Sequence, residues 1–145
     1  MQGMPIVWRE QMSVGIKSID EDHQRLIMLV NQFADVIRQG GGLSGGNEGA
    51  IRTLLGRLQA YTNEHFAREE RIQDQANYPG LKENRSHHAA LITELNRKIE
   101  RYAAGEKAEK KLTGEELSAF LNSWLVNHII KVDLKMKSHK FTGVW

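Results

Sequence analysis

Apolar residues return along four stretches of the chain with the three- and four-residue spacing of an amphipathic helix. In the first, about 19–39, the stripe is Ile19, His23, Leu26, Val30, Phe33 and Ile37. Ser18, with Glu21 three residues on, has the form of a capping box at its start. The second, about 50–75, lines up Ile51, Leu55, Leu58, Thr62, His65, Glu69 and Ile72, and Asn77-Tyr78-Pro79-Gly80 breaks it. Between these two, the stretch from Gly40 to Gly49 holds too much glycine for a helix. The third, about 81–104, places Asn84, His88, Leu91, Leu95 and Tyr102 on one face. Thr113 and Glu116 make a second capping box, opening a fourth stretch, about 114–138, with Leu117, Leu121, Trp124, His128 and Val132 in line. No run alternates apolar and polar residues as a strand would. Four helices of about 20 residues with short connectors predict an all-α, up-down-up-down four-helix bundle. An N-terminal arm, residues 1–17, carries Trp8, Val14 and Ile16 and is expected to pack across it. At 145 residues the chain reads as a single domain, 1–145.

Composition narrows the chemistry. Cysteine is absent, which excludes disulfides, thiolate zinc sites, iron–sulfur clusters and a Cys nucleophile. The 20 Lys+Arg and 18 Asp+Glu are interleaved, so no basic groove for nucleic acid is expected. No stretch approaches a membrane span, and the first residues lack a cationic and apolar leader. A cytoplasmic protein with no membrane partner is expected.

Six histidines remain, and His23, His65, His88 and His128 sit where the periodicity puts the core, one per helix. A lone core histidine is ordinarily hydrogen-bonded to a neighbour. Four imidazoles together with Glu69 in the stripe and Asp133 just beyond it are harder to accommodate. Each unpaired buried charge costs several kcal/mol, against a net domain stability of about 5–15 kcal/mol. Metal cations compensate such a set directly. His65 and Glu69, at i,i+4, lie about 40° apart around a helix and face one metal or two adjacent ones. His128 and Asp133, at i,i+5, lie about 140° apart in an ideal helix. That pair needs a carboxylate reaching sideways to a second ion, or a local distortion of the helix. Imidazole with carboxylate suits iron, manganese or zinc better than calcium. Two carboxylates among four imidazoles suggest a two-metal site bridged by the carboxylates.

In order along the chain stand Asp20-Glu-Asp-His23, His65-Phe-x-x-Glu69-Glu70, Tyr78-Pro79, His88 and Trp124-Leu125-x-x-His128-Ile129-x-x-x-Asp133, led by Trp8 and Val14-Gly-Ile-x-x-Ile19-Asp. This series resembles the hemerythrin family, and within it the single-domain bacteriohemerythrins. The Glu-x-x-His pairs of ferritin-like bundles are absent. The resemblance implies a non-haem diiron site of two iron ions with an oxo or hydroxo bridge, and Glu69 and Asp133 as the carboxylate bridges. It implies His23 and His65 on the iron with the open position, and His88 and His128 on the other. Trp124, Leu125 and Ile129 would line an apolar pocket for oxygen. The implied ligand is dioxygen or another small diatomic molecule, in a carrier, store or sensor. No catalytic residue is assigned, and a binding protein is favoured over an enzyme. The alternative is a diiron oxidase, peroxidase-like or nitric-oxide-handling enzyme on the same site. A third reading is an interaction bundle held by zinc or by one metal. No partner protein is evident.

One position departs from the family. A histidine is expected five residues after the Pro of Tyr-Pro, and here that residue is Asn84. An amide oxygen is a poor iron ligand beside imidazole. Three readings stay open. Asn84 coordinates weakly or holds a water; or His87 takes over, although His87 and His88 lie about 100° apart on a helix; or the second metal is lost or exchangeable. By itself His87 reads as a surface histidine. His139, in a tail with Lys135, Lys137 and Lys140, reads as solvated. Gln73 stands where the family often has an apolar Met, and sets a polar group near the pocket. An open position at Asn84 shortens the life of the oxygenated protein. That lifetime, followed optically after reduction and exposure to oxygen, is expected to lengthen in an Asn84→His variant.

Overall fold

The computed structural model describes residues 5–40 and 47–141. The centre of the glycine-rich stretch (41–46) and the two ends (1–4 and 142–145) lie outside the described residues. The long helices are α1 (Lys17–Arg38), α2 (Glu48–Gln75), α3 (Leu81–Ala104) and α4 (Gly114–Leu125). Among the described residues there is no strand. α4 runs directly into a π turn (Val126–Ile130), one α turn (Lys131–Asp133) and a 3-10 turn (Leu134–Ser138). α1 packs on α2 and α4, α2 packs on α3, and α3 packs on α4, closing a four-helix bundle.

The α1 and α2 stripes are buried throughout, including their histidines, Thr62 and Glu69. In α4 the stripe holds through Leu117, Leu121 and Trp124 and then slips. A π turn closes on i→i+5 and so consumes one residue more than an α turn. The inward face therefore resumes one position late, at Ile129, Asp133 and Met136, in place of His128 and Val132. The expected core place of His128 is corrected on that ground: the side chain is exposed.

The second capping box forms. Glu116 N–H donates to Thr113 Oγ1 at 3.1 Å, and Thr113 N–H donates to Glu116 Oε1 at 3.0 Å. The first does not. α1 starts ahead of Ser18, with Ile16 at the N-cap and no side-chain cap, and Ser18 Oγ is buried without a partner. Asp20 has displaced it. Its carboxylate, in the favourable first turn of a helix, accepts Val14 N–H at 2.9 Å and the Ser13 hydroxyl. The helix thus ties down the arm that precedes it.

That arm is fastened again further out. Ile6 N–H donates to Asn31 Oδ1 at 3.1 Å, and Asn31 Nδ2 donates to Ile6 O at 2.9 Å. Gly15, at φ 84°, takes a left-handed conformation open to glycine, and both its neighbours Val14 and Ile16 are buried. They pack with Ile19, Ile72 and Met136 into a small apolar layer beyond the main core. His139, expected from the sequence to be solvated, docks instead. It is half-buried between Tyr78 and Phe141, and its Nε2 donates to Ala76 O at 2.9 Å, tying the tail to the end of α2.

Removing the two helix-start hydroxyls separates the made cap from the unmade one. Thr113→Ala is expected to lower the unfolding free energy by about 1 kcal/mol. Ser18→Ala, which loses no hydrogen bond, is expected to leave it nearly unchanged; urea denaturation measures both.

Candidate metal centre

His23 on α1, His65 and Glu69 on α2, and Asp133 beyond the π turn meet in the interior. One ligand atom from each lies within 4.8 Å of all the others, and exposure of the four residues is 0–2%. His23 Nε2 stands 2.8 Å from Asp133 Oδ2. His65 Nε2 stands 3.4 Å from Asp133 Oδ2 and 3.4 Å from Glu69 Oε2. The other Glu69 oxygen, Oε1, faces His88 Nε2 of α3 at 3.2 Å. Glu69 is therefore placed between two sets of imidazole nitrogens, with one oxygen toward each.

The electrostatics of this pair of carboxylates are set by burial. Burial, and then the charge of Asp133, push Glu69 well above the usual carboxylate range. Burial alone would raise Asp133 too, but the hydrogen bond with His23, and His65 and Glu69 close by, hold it well below that range. Of the two carboxyls, Glu69 is thus the one whose ionisation the interior opposes when no cation is present. As an ionised group it has no hydrogen-bond donor at either oxygen, and His65 Nε2 and His23 Nδ1 are likewise buried without partners. Such orphaned atoms cost about 1–3 kcal/mol each, more when charged. A cation among them satisfies Glu69 and His65 together, and the nitrogen and oxygen donor set suits iron. The residues fit the metal.

Two of the imidazoles are aimed from behind. A carboxylate can only accept, so His65 Nδ1 donates to Asp22 Oδ2 at 3.0 Å and His88 Nδ1 donates to Glu70 Oε2 at 2.7 Å. In the neutral ring each donation leaves the Nε2 lone pair directed at the cluster, as in metal sites generally. Asp22 is itself gripped by Arg68 Nε at 2.9 Å and the Tyr61 hydroxyl at 2.8 Å. Burial opposes its ionisation, yet bonds from His65, Arg68 and Tyr61 hold its pKa at about 2, below the usual 3.8. Burial likewise lowers His65, but contacts with Asp133 and Asp22 outweigh it and leave that imidazole raised. For His88 burial prevails over Glu70, and its pKa falls. Phe66 stacks on the His88 ring, 3.9 Å between centroids and 3° between planes.

The other candidates are placed differently. Asn84 is half-buried, one turn before His88 on α3. His87 is half-buried, and its Nε2 donates to His128 O at 2.9 Å. His87 and His128 both line an open groove of about 580 Å³ between α3 and the π turn. The i,i+5 spacing of His128 and Asp133 meets the helix distortion it called for, but that distortion brings in Asp133 alone. Trp124, Leu125 and Ile129 are buried at 0–1% exposure, with Trp124 Nε1 donating to Leu91 O at 3.3 Å. Gln73 lies one turn past Glu69, fully buried, with Nε2 on Met136 Sδ at 3.4 Å and Oε1 unpartnered.

Asp22, Glu70, Tyr61 and Arg68 had no role assigned from the sequence. A usable signal was there: Tyr61, His65 and Arg68 are spaced four and three apart, one helical face carrying a hydroxyl, an imidazole and a guanidinium. That face calls for a buried acid opposite.

Residues 14–138 match the family model described as the Hemerythrin HHE cation binding domain. The chain is 31% identical over 124 residues to a bacteriohemerythrin of Pseudomonas aeruginosa, covering 86% of this chain and 74% of that one. It is 27% identical over 135 residues to a myohemerythrin of Riftia pachyptila, covering 93% of each. A crystal structure of a hemerythrin point mutant superposes with a TM-score of 0.75 at 23% identity, over 94% of this chain and 98% of that one.

Asp22→Asn removes the charge on which Tyr61, His65 and Arg68 converge. It is expected to lower the unfolding free energy of the metal-free chain by about 3 kcal/mol. Affinity for metal is expected to fall about 10–100-fold. Denaturant titration reads the first effect, and chelator competition the second.

Proposed function

The chain belongs to the hemerythrin family, and on that premise we propose that it is a non-haem diiron protein that binds dioxygen, or another small diatomic molecule, reversibly. The observation that carries the reading is the buried cluster of His23, His65, Glu69 and Asp133, with both Glu69 oxygens lacking a donor. In the proposed assignment His23 and His65 would hold one iron and His88 would serve the other, with Glu69 and Asp133 as the carboxylate ligands. Reduced iron in such a site supplies the electrons that bind dioxygen without a further reductant.

The protein's own residues supply the rest. Asp22 and Glu70 keep the Nδ1 protons of His65 and His88 in place, so both rings present Nε2 inward. Trp124, Leu125 and Ile129 are closed to solvent, and an apolar shell of this kind limits water and protons around the metals. These three side chains bring no acid or base, which favours binding over turnover. No helix among the described residues is long and apolar enough to cross a membrane, and the proposal places the protein in the cytoplasm.

Iron content per chain and the absorption spectrum, recorded reduced and then exposed to oxygen, test the proposal. Bound iron and a persistent oxygen-dependent visible band that reverses on deoxygenation are expected. Near-zero iron after both aerobic and anaerobic reconstitution would overturn it.

A further inference from the structure

Resting on that diiron reading, we infer that the two metal positions are unequal. The ion at His23, His65, Glu69 and Asp133 binds first and is retained, and the ion beside His88 is exchangeable.

The asymmetry is visible in the donors on each side of Glu69. On one side two imidazoles from different helices and two carboxylates already stand close enough together to share one ion, all buried. His65 there is locked by a carboxylate that itself accepts from Arg68 and Tyr61. On the other side His88 is the one imidazole in reach of Glu69. The residue one turn before it is Asn84, whose amide offers a neutral oxygen in place of an imidazole nitrogen. His87, the nearest substitute, has its Nε2 committed to the His128 carbonyl. His128 is carried onto the surface by the π turn.

The second position is also more weakly supported. The Glu70 carboxylate behind His88 is a quarter exposed, whereas Asp22 behind His65 is 4% exposed. A charge-assisted bond in water contributes less than a buried one. Loss of a single outer partner typically lowers metal affinity about 10–100-fold. Missing an inner imidazole while also having the weaker support places the second ion at least about 100-fold below the first. Function then depends on metal supply, because only the fully loaded chain has both ions.

Cobalt(II) added stepwise to the metal-free chain under anaerobic conditions, with a competing chelator, tests this by visible absorption and by metal retained per chain after gel filtration. The expected result is a break at one cobalt per chain, with the second taken up at least about 100-fold more weakly and lost on the column. Asn84→His is expected to close the gap and retain two, and Asn84→Ala is expected to keep the wild-type pattern. Two cobalt ions taken up in one phase and retained together by the wild type would overturn the inference and leave the proposed function standing. A gap that persists in a folded Asn84→His chain would also overturn it. No retained cobalt in the wild type would overturn the proposed function and this inference with it.

Discussion

Two carboxylates and two imidazoles whose ligand atoms crowd within 4.8 Å of one another, out of reach of water, are the constraint on which the rest of the structure depends. A carboxylate moved into a protein interior carries a penalty of several kcal/mol even after relaxation. The bundle answers by dividing roles between two acids of similar chemistry. Asp133 takes the hydrogen bond of His23, with His65 close beside it, and is held toward its ionised form, and Glu69 takes none and is pushed toward its neutral form. Without a cation this is a compromise, with polar atoms left bare. With one, the same atoms become a coordination sphere.

Around that point the helices divide the labour. α2 contributes two neighbouring faces: His65, Glu69 and Gln73 look inward, while Tyr61 and Arg68 reach sideways to Asp22 on α1. α1 therefore gives both an inner residue, His23, and the acid that aims His65. The strand of chain after α4 reaches the cluster by an irregular path, since the π turn is what rotates Asp133 inward. π turns of one cycle are frequent at functional sites for this reason. They shift the register of a helix face without breaking the helix.

Much of this was legible in the sequence. The bundle followed from four stripes whose periods needed no tertiary information, and the α1 and α2 stripes named their buried polar residues correctly. Asn84 announced itself as an amide in a row of histidines. What a fixed 3.6-residue period cannot show is a change of period. The π turn moved His128 outward and Asp133 inward, although the i,i+5 spacing had raised a distortion as one way to reconcile the two. Ser18 looked like a cap because its spacing to Glu21 was right, but Asp20 bonds to the arm and the helix starts earlier. The role of Asp22 is not visible in periodicity, because burial of an acid beside a guanidinium is a property of two helices and periodicity describes one at a time. Position near a chain end does not decide the exposure of His139, because aromatic neighbours receive it.

The cluster joins residues far apart in the chain: His23 and Asp133 are 110 residues distant in sequence. It cannot exist in a partly folded chain, because no two adjacent helices contain it. Metal affinity and folding are consequently one equilibrium seen from two sides. Every tenfold rise in free metal above the dissociation constant adds about 1.4 kcal/mol to the folded state, and any mutation that loosens the packing of α1 against the turn carrying Asp133 weakens the hold on metal without touching a ligand. In a cell the iron supply would then set how long this protein lasts as well as how much of it is active.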